Sequence, residues 1–276
     1  MNNGTQVLPI DLGKREDGFS FNIDLTRLPN LLIGGARGQG KTNLLNGIIT
    51  SLAELRSQDE VKFILLDPAY VEFGPFSELP HLLQPIVNSA GDMIRTFEWL
   101  DAEVERRLPM FAKARCRNLF DFNARANPDS DGLPKTVPYI VVVADDMSEL
   151  MADHGTKVTK LIRRLTSRSR AAGIHLILSL RSMDQVTMSG FTLDSFPARI
   201  AFRTWSVAES MALIGVEEAA RLSKPGEFLF RRDIGKTIRC QAKKMTVEEI
   251  DKMVRRKTQT DLKIGIFTSG KEKRGG

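Results

Sequence analysis

The chain is 276 residues long, 42% hydrophobic and 27% charged, which suits a globular protein with a buried core and excludes a disordered one. Lys and Arg number 40 against 34 Asp and Glu, and the resulting +6 is compatible with an anionic partner without requiring one. Cys116 and Cys240 lie far apart and the three histidines lack ligand spacing, which excludes a disulfide framework and a His/Cys metal cluster.

In chain order, MNNGTQVLPIDLGK has no basic-then-apolar leader pattern. NLLIGG (30–35) predicts a short buried strand, and TNLLNGIITSLAEL (42–55) a helix with apolar residues at three-four spacing. VKFILLD (61–67) predicts a strand and AGDMIRTFEWLDAEVERRLPMF (90–111) a long helix. The polar, turn-rich stretch at 123–138 predicts a surface loop before the most hydrophobic strand, YIVVVAD (139–145). KVTKLIRRLTSRSRAA (157–172) predicts a helix ended by Gly173, followed by strands IHLILSL (174–180) and ARIAFRT (198–204). Strands this continuously apolar, alternating with helices, imply an α/β fold whose mostly parallel central sheet is covered by helices on both faces. The expected division is one domain over 1–254, then a basic, flexible tail over 255–276. The longest apolar runs fall far short of the roughly 18 residues of a membrane span. A cytoplasmic protein with no membrane insertion of its own is the expectation.

GARGQGKT (35–42) fits GxxxxGK[ST] and stands where that motif must stand, after a strand and opening a helix. Glycines let backbone N–H groups turn toward phosphate oxygens, and a helix N-terminus adds partial positive charge. The candidate nucleotide-binding residues are Gly35, Ala36, Arg37, Gly38, Gln39, Gly40, Lys41, Thr42 and Asn43. Lys41 would reach the β- and γ-phosphates of ATP, and Thr42 would bind Mg²⁺ through its hydroxyl. Two acids end the strand YIVVVADD, where carboxylates without a cation or hydrogen-bond partner are costly. Asp145 is the candidate for holding Mg²⁺ and Asp146 for orienting the attacking water.

From LPIDLGK through the P-loop, LLDPAYVEF, LPHLLQPIV, EVERR, RNLFDFN, YIVVVADDMSELM, RAAGIHLILSL and FPARIAF to KPGEFLF, the chain resembles the motor domain of the FtsK/SpoIIIE family over about residues 7–254. The resemblance implies a RecA-like P-loop ATPase with ATP and Mg²⁺, forming a homo-hexameric ring that threads double-stranded DNA. It matches Gly35, Gly40, Lys41 and Thr42 to the family P-loop and Asp145 to its Mg²⁺ aspartate. It also places Arg164 and Arg170 on an RLxxxxR frame, Arg164 being the first candidate for an arginine that reaches a neighbouring subunit's nucleotide and Arg170 the second. Two residues depart from the family pattern. Asp146 stands where the family has glutamate, and Arg181 falls on its glutamine sensor, which bears on the rate or regulation of hydrolysis. The family's membrane segments, linker and winged-helix domain are not in this sequence, so the expected role is a DNA motor of a mobile element or phage, with room for a membrane-bound or mobile-element partner protein. A coupling or secretion ATPase with a nucleoprotein or protein cargo, and a nucleotide-switched assembly module with weak turnover, stay open as alternatives.

Positive charge concentrates in ERRLPMFAKARCRN (105–118) and IRRLTSRSRAAGIHLILSLR (162–181). Solvated helix faces are the plainer account of any single residue there, whereas several converging on one lumen would track duplex phosphates. Trp99 and Trp205 are expected in core or interface packing, and His81 and His175 as satisfied core histidines.

Overall fold

The structure, a computed structural model, describes residues 6–125, 133–182, 195–232 and 235–269. Five strands form its parallel heart: β3 (Asn30–Gly34), β4 (Val61–Leu66), β5 (Tyr139–Ala144), β6 (Ile174–Leu180) and β7 (Ala198–Phe202). Antiparallel strands β1 (Pro9–Arg15), β2 (Ser20–Asp24), β8 (Glu227–Arg232) and β9 (Ile238–Gln241) extend it into one nine-stranded sheet, ordered β2-β1-β9-β8-β7-β3-β6-β5-β4. The parallel strands lie where the sequence predicts them. The antiparallel wing is an addition: β1, β2 and β9 mix buried with exposed residues, and β8 has only the three-residue apolar run Phe228–Phe230, so no long apolar run marks them.

Side chains of the central strands alternate between two cores, as period-two geometry requires. Leu31, Ile33, Phe63, Leu65, Val141 and Val143 face α1 (Lys41–Leu55) and a last helix, α6 (Val247–Ser269). Leu32, Ile64, Leu66, Ile140, Val142 and Ala144 face α2 (Ala90–Lys113), α4 (Ser148–Ala172) and α5 (Val207–Ile214). Helices thus cover both faces. A short α3 (Leu119–Ala124) precedes β5, and Asn123 holds both the N–H and the C=O of Val137 at 3.0 and 2.9 Å, closing the loop whose middle lies outside the described residues.

Two boundaries differ from expectation. Helix α4 begins at Ser148 rather than 157, and passes a kink at His154 (φ −128°) that interrupts its pattern. It ends at Gly173, whose φ of 72° suits glycine and where a Cβ would lie 2.1 Å from Leu119 Cδ2. The expected boundary at 254/255 falls inside α6. Thr246 and Glu249 cap that helix reciprocally, Ile250, Met253 and Val254 are buried, and Arg256 Nη2 meets Glu54 Oε1 of α1 at 2.6 Å. Residues 270–276 lie outside the described residues. Among the described residues, no helix is long and apolar enough to cross a membrane.

The basic stretch at 105–118 does not present all its charge outward. Arg107 is 2% exposed, with Nε 2.7 Å from Glu103 Oε1 and Nη1 donating to Pro138 O at 2.9 Å and Ala172 O at 3.0 Å. It ties α2 to the start of β5 and the end of α4. Burial alone would push the Glu103 carboxyl up, but hydrogen bonds from Arg106 and Arg107 outweigh it and leave it below the ordinary glutamate value. Removing one partner of a buried pair strands the other charge. Arg107→Ala is expected to lower unfolding stability by about 3–5 kcal/mol in urea denaturation. The contribution of Glu103 is present above its unfolded pKa and lost as pH falls through the lower folded one.

His81 and His175 are buried, as expected. Burial pushes the imidazole of His175 down to about 4. Trp99 and Trp205 are 43% and 70% exposed, so neither packs in the core, which leaves the interface half of that expectation.

Candidate nucleotide site

The site lies at the C-terminal ends of β3, β5 and β6, where chain reversals leave a cleft of about 370 Å³. Its floor is the turn from β3 into α1. Gly35, Gly38 and Gly40 have φ of 140°, 75° and 110°, values that L side chains rarely adopt. A Cβ at Gly35 would stand 2.8 Å from Phe202 Cβ, so this glycine also lets β3 and β7 approach.

Lys41, the first residue of α1, is 8% exposed and donates from Nζ to Gly35 O at 2.6 Å and Ala36 O at 2.9 Å. Burial draws its pKa below the ordinary lysine value, while the charges of Asp145 and Asp146 oppose that shift. Thr42 Oγ1 donates to Asp145 Oδ2 at 2.6 Å, joining the helix start to the end of β5. Asp145, 5% exposed, accepts on its other oxygen from Ser179 Oγ at 2.7 Å. Ser179 also accepts from Asp146 N at 2.8 Å. The sequence reading passed over Ser179. Its signal is the one hydroxyl in the buried strand IHLILSL, which bonds the acids next door.

Arg37, Gly38, Gly40, Lys41, Thr42 and Asn43 line the cleft with Asp145, Asp146 and Arg181. Gly35, Ala36 and Gln39 shape the loop rather than line it. Ala36 N donates to Arg203 O at 2.7 Å, and Gln39 O accepts from Gly226 N at 2.9 Å. The amide of Asn43 is engaged with Lys243 O and Met245 N, both at 2.7 Å, and so holds the entry to α6. Asp146 has left-handed backbone, φ 49°, and its Oδ2 accepts from Arg181 Nε at 2.6 Å.

Asp67 and Glu72 join the cleft from the loop after β4. Leu66 pairs with Ala144, so Asp67 and Asp145 follow side by side on neighbouring strands. Partial desolvation at the cleft wall, with the charges of Asp145 and Asp67, pushes the carboxyl of the still-exposed Glu72 above the ordinary glutamate value, and Arg37 opposes this.

Arg164 and Arg170 are not in the cleft. Helix α4 starts beside it and carries them away, by about 24 and 33 Å of helix respectively at 1.5 Å per residue. Arg164 pairs with Asp101 of α2. Arg170 Nε donates to Thr26 O at 3.2 Å, and the residue lines a separate hollow of about 350 Å³ with Arg27, Arg117, Tyr139 and His175. That hollow sits at the N-terminal ends of β5 and β6, across the sheet from the P-loop.

The donor set fits a magnesium nucleotide. Thr42 Oγ1 and Asp145 Oδ2 are hard oxygens held together, a buried ammonium stands next to them, and the N-terminus of α1 faces the same space.

The FtsK/SpoIIIE family model matches residues 1–185. The DNA translocase FtsK of Lactococcus lactis subsp. lactis (strain IL1403) is 34% identical over 256 residues, 91% of this chain and 34% of that protein. The DNA translocase FtsK of Staphylococcus aureus (strain Mu50 / ATCC 700699) is 35% identical over 226 residues, 81% of this chain and 29% of that protein. The chain thus spans about a third of the length of these curated relatives. Among solved structures, the cytoplasmic domain of the Thermomonospora curvata Type VII secretion ATPase EccC aligns with TM-score 0.79 and 24% identity over 92% of this chain and 32% of that one. The pCW3 conjugation coupling protein TcpA, in a monomer form with ATPγS, aligns with TM-score 0.76 and 22% identity over 92% of this chain and 73% of that one. Fold, P-loop and sequence likeness agree, and the chain belongs to the FtsK/SpoIIIE family.

Proposed function

We propose that this chain hydrolyses ATP with Mg²⁺ and couples hydrolysis, in a homo-hexameric ring, to movement of double-stranded DNA. The observation that carries the ATPase reading is the hydrogen-bonded set Thr42–Asp145–Ser179 beside buried Lys41. Mg²⁺ would be held by Thr42 and Asp145 and would neutralise charge on the phosphates. Lys41 binds and orients the β- and γ-phosphates, and the N-terminus of α1 adds its dipole. The DNA reading rests on family membership and on relatives that are DNA translocases.

Separation within one chain supports the shared site. Neither arginine of α4 can serve its own P-loop from the far side of the sheet, so either would act only on another copy's nucleotide. The geometry favours Arg170 over Arg164, because Arg164 is ion-paired to Asp101, whereas Arg170 donates from Nε to a backbone carbonyl and lines a hollow with two other arginines. A second reading, the nucleotide-switched module with weak turnover, draws on one observation: Arg181 occupies the carboxylate of Asp146.

Phosphate contacts carry no sequence information and release counterions. Duplex binding in the presence of ATPγS is therefore expected to be alike for unrelated sequences and to weaken steeply with salt, with a log–log slope of about −0.9 per phosphate contacted. A strong preference for one short sequence in competition, or affinity indifferent to salt, would refute the DNA assignment.

A further inference from the structure

Besides Asp145 and the buried Asp67, two acids on the cleft wall differ in what already engages them. Asp146 accepts from Arg181 Nε at 2.6 Å and from Ser148 N at 3.3 Å. Glu72 is solvent-exposed on the cleft wall, and among the described residues its carboxylate makes no hydrogen bond or salt bridge.

The loop that carries Glu72 is firmly held. Asp67, 1% exposed, accepts from the backbone N–H groups of Ala69, Glu72 and Phe73 at 3.1, 2.9 and 3.0 Å. Asn88 Nδ2 holds Asp67 O at 2.7 Å, and Phe73 and Phe76 are fully buried beneath. Tyr70 takes left-handed backbone, φ 68°, which is costly for an aromatic residue. A buried carboxylate thus organises a strained turn and fixes the backbone of Glu72 next to the strand end that bears Asp145. Strain and buried charge of this kind gather where a side chain must be aimed.

We propose that Glu72, rather than Asp146, is the catalytic carboxylate that holds the attacking water. The proposal rests on the ATPase reading above. In the step, the water oxygen bonds to the γ-phosphorus as the bond from that phosphorus to the β–γ bridging oxygen breaks. The bridging oxygen keeps the electron pair and leaves with ADP. The proton released by the water passes to the Glu72 carboxylate and then to the phosphate product.

The test compares Glu72→Gln with Asp146→Asn in the full chain, with three readouts. These are ATP turnover, affinity for a fluorescent ATP analogue, and affinity for ADP with aluminium fluoride, which mimics the in-line transition state. A positioned base contributes about 10²–10⁴ in rate. Glu72→Gln is expected to lose at least 100-fold in turnover and to exceed the loss in Asp146→Asn at least tenfold. It keeps the ATP analogue within about threefold and loses at least tenfold in affinity for ADP–aluminium fluoride, a separation that a misfolded variant cannot produce. Wild-type turnover and trapping in Glu72→Gln, with both lost in Asp146→Asn, overturn the proposal alone. A wild-type chain that neither binds nor hydrolyses ATP overturns the ATPase reading and the proposal with it.

Discussion

Arg170→Ala is expected to lower ATP turnover by about 10³–10⁵, the value of an arginine that neutralises charge on a transferring phosphoryl group. Within one chain the residue lies across the sheet from Lys41, so a shared site puts the loss at another copy's cleft. Mixing separates this from a local effect. Lys41→Ala chains carry an intact Arg170, and Arg170→Ala chains carry an intact P-loop. If subunits exchange, some interfaces pair the two intact halves and part of the activity returns. Recovery in Lys41→Ala mixtures with Arg164→Ala, but not with Arg170→Ala, would move the role to Arg164. No recovery in either mixture, with full-rate hydrolysis by a dilute monomer, would end the shared-site account.

Lys41→Ala and Asp145→Asn are expected to lose turnover for different reasons. Lys41 is the buried cation beside the P-loop carbonyls, 8% exposed, and alanine removes both the charge and its reach. Loss of one preorganised electrostatic contact costs about 10²–10³ in rate, and here ATP affinity falls too because the ground-state phosphates lose the same contact. Asp145 accepts from Thr42 and Ser179 at 2.6 and 2.7 Å. An asparagine there keeps the shape but puts an NH₂ where an oxygen accepted, so nucleotide still binds while Mg²⁺-dependent turnover is lost. Isothermal titration with ATP, with and without Mg²⁺, beside phosphate release distinguishes the two patterns. Normal turnover in either variant contradicts the site.

The parallel heart of the fold and the floor of the cleft were legible because each is written locally. A five-residue apolar strand, three glycines, a lysine and a helix all lie within Asn30–Leu55. Asp145 ends the most apolar strand, so its place beside Thr42 followed from the sheet. What stayed hidden is written across the chain. Ser179 reads as one more residue of a buried strand until β6 is set beside β5. Glu72 acquires meaning only through Asp67, whose three backbone hydrogen bonds belong to a turn with no periodic signal. Arg107 looks like surface charge in ERRLP, yet it is buried against the carbonyls of Pro138 and Ala172, which stand 31 and 65 residues away. Asp146 and Arg181 each depart from the family pattern in sequence, but 35 residues separate them and only the fold brings the guanidinium to the carboxylate.

The most direct measurement is steady-state ATP hydrolysis by the purified chain, with Mg²⁺, as duplex DNA of arbitrary sequence is added. The account predicts turnover that rises severalfold with duplex, falls back as salt strips the DNA away, and vanishes in Lys41→Ala. Hydrolysis indifferent to duplex at every salt concentration, in a chain that binds ATP normally, would contradict a DNA-coupled motor.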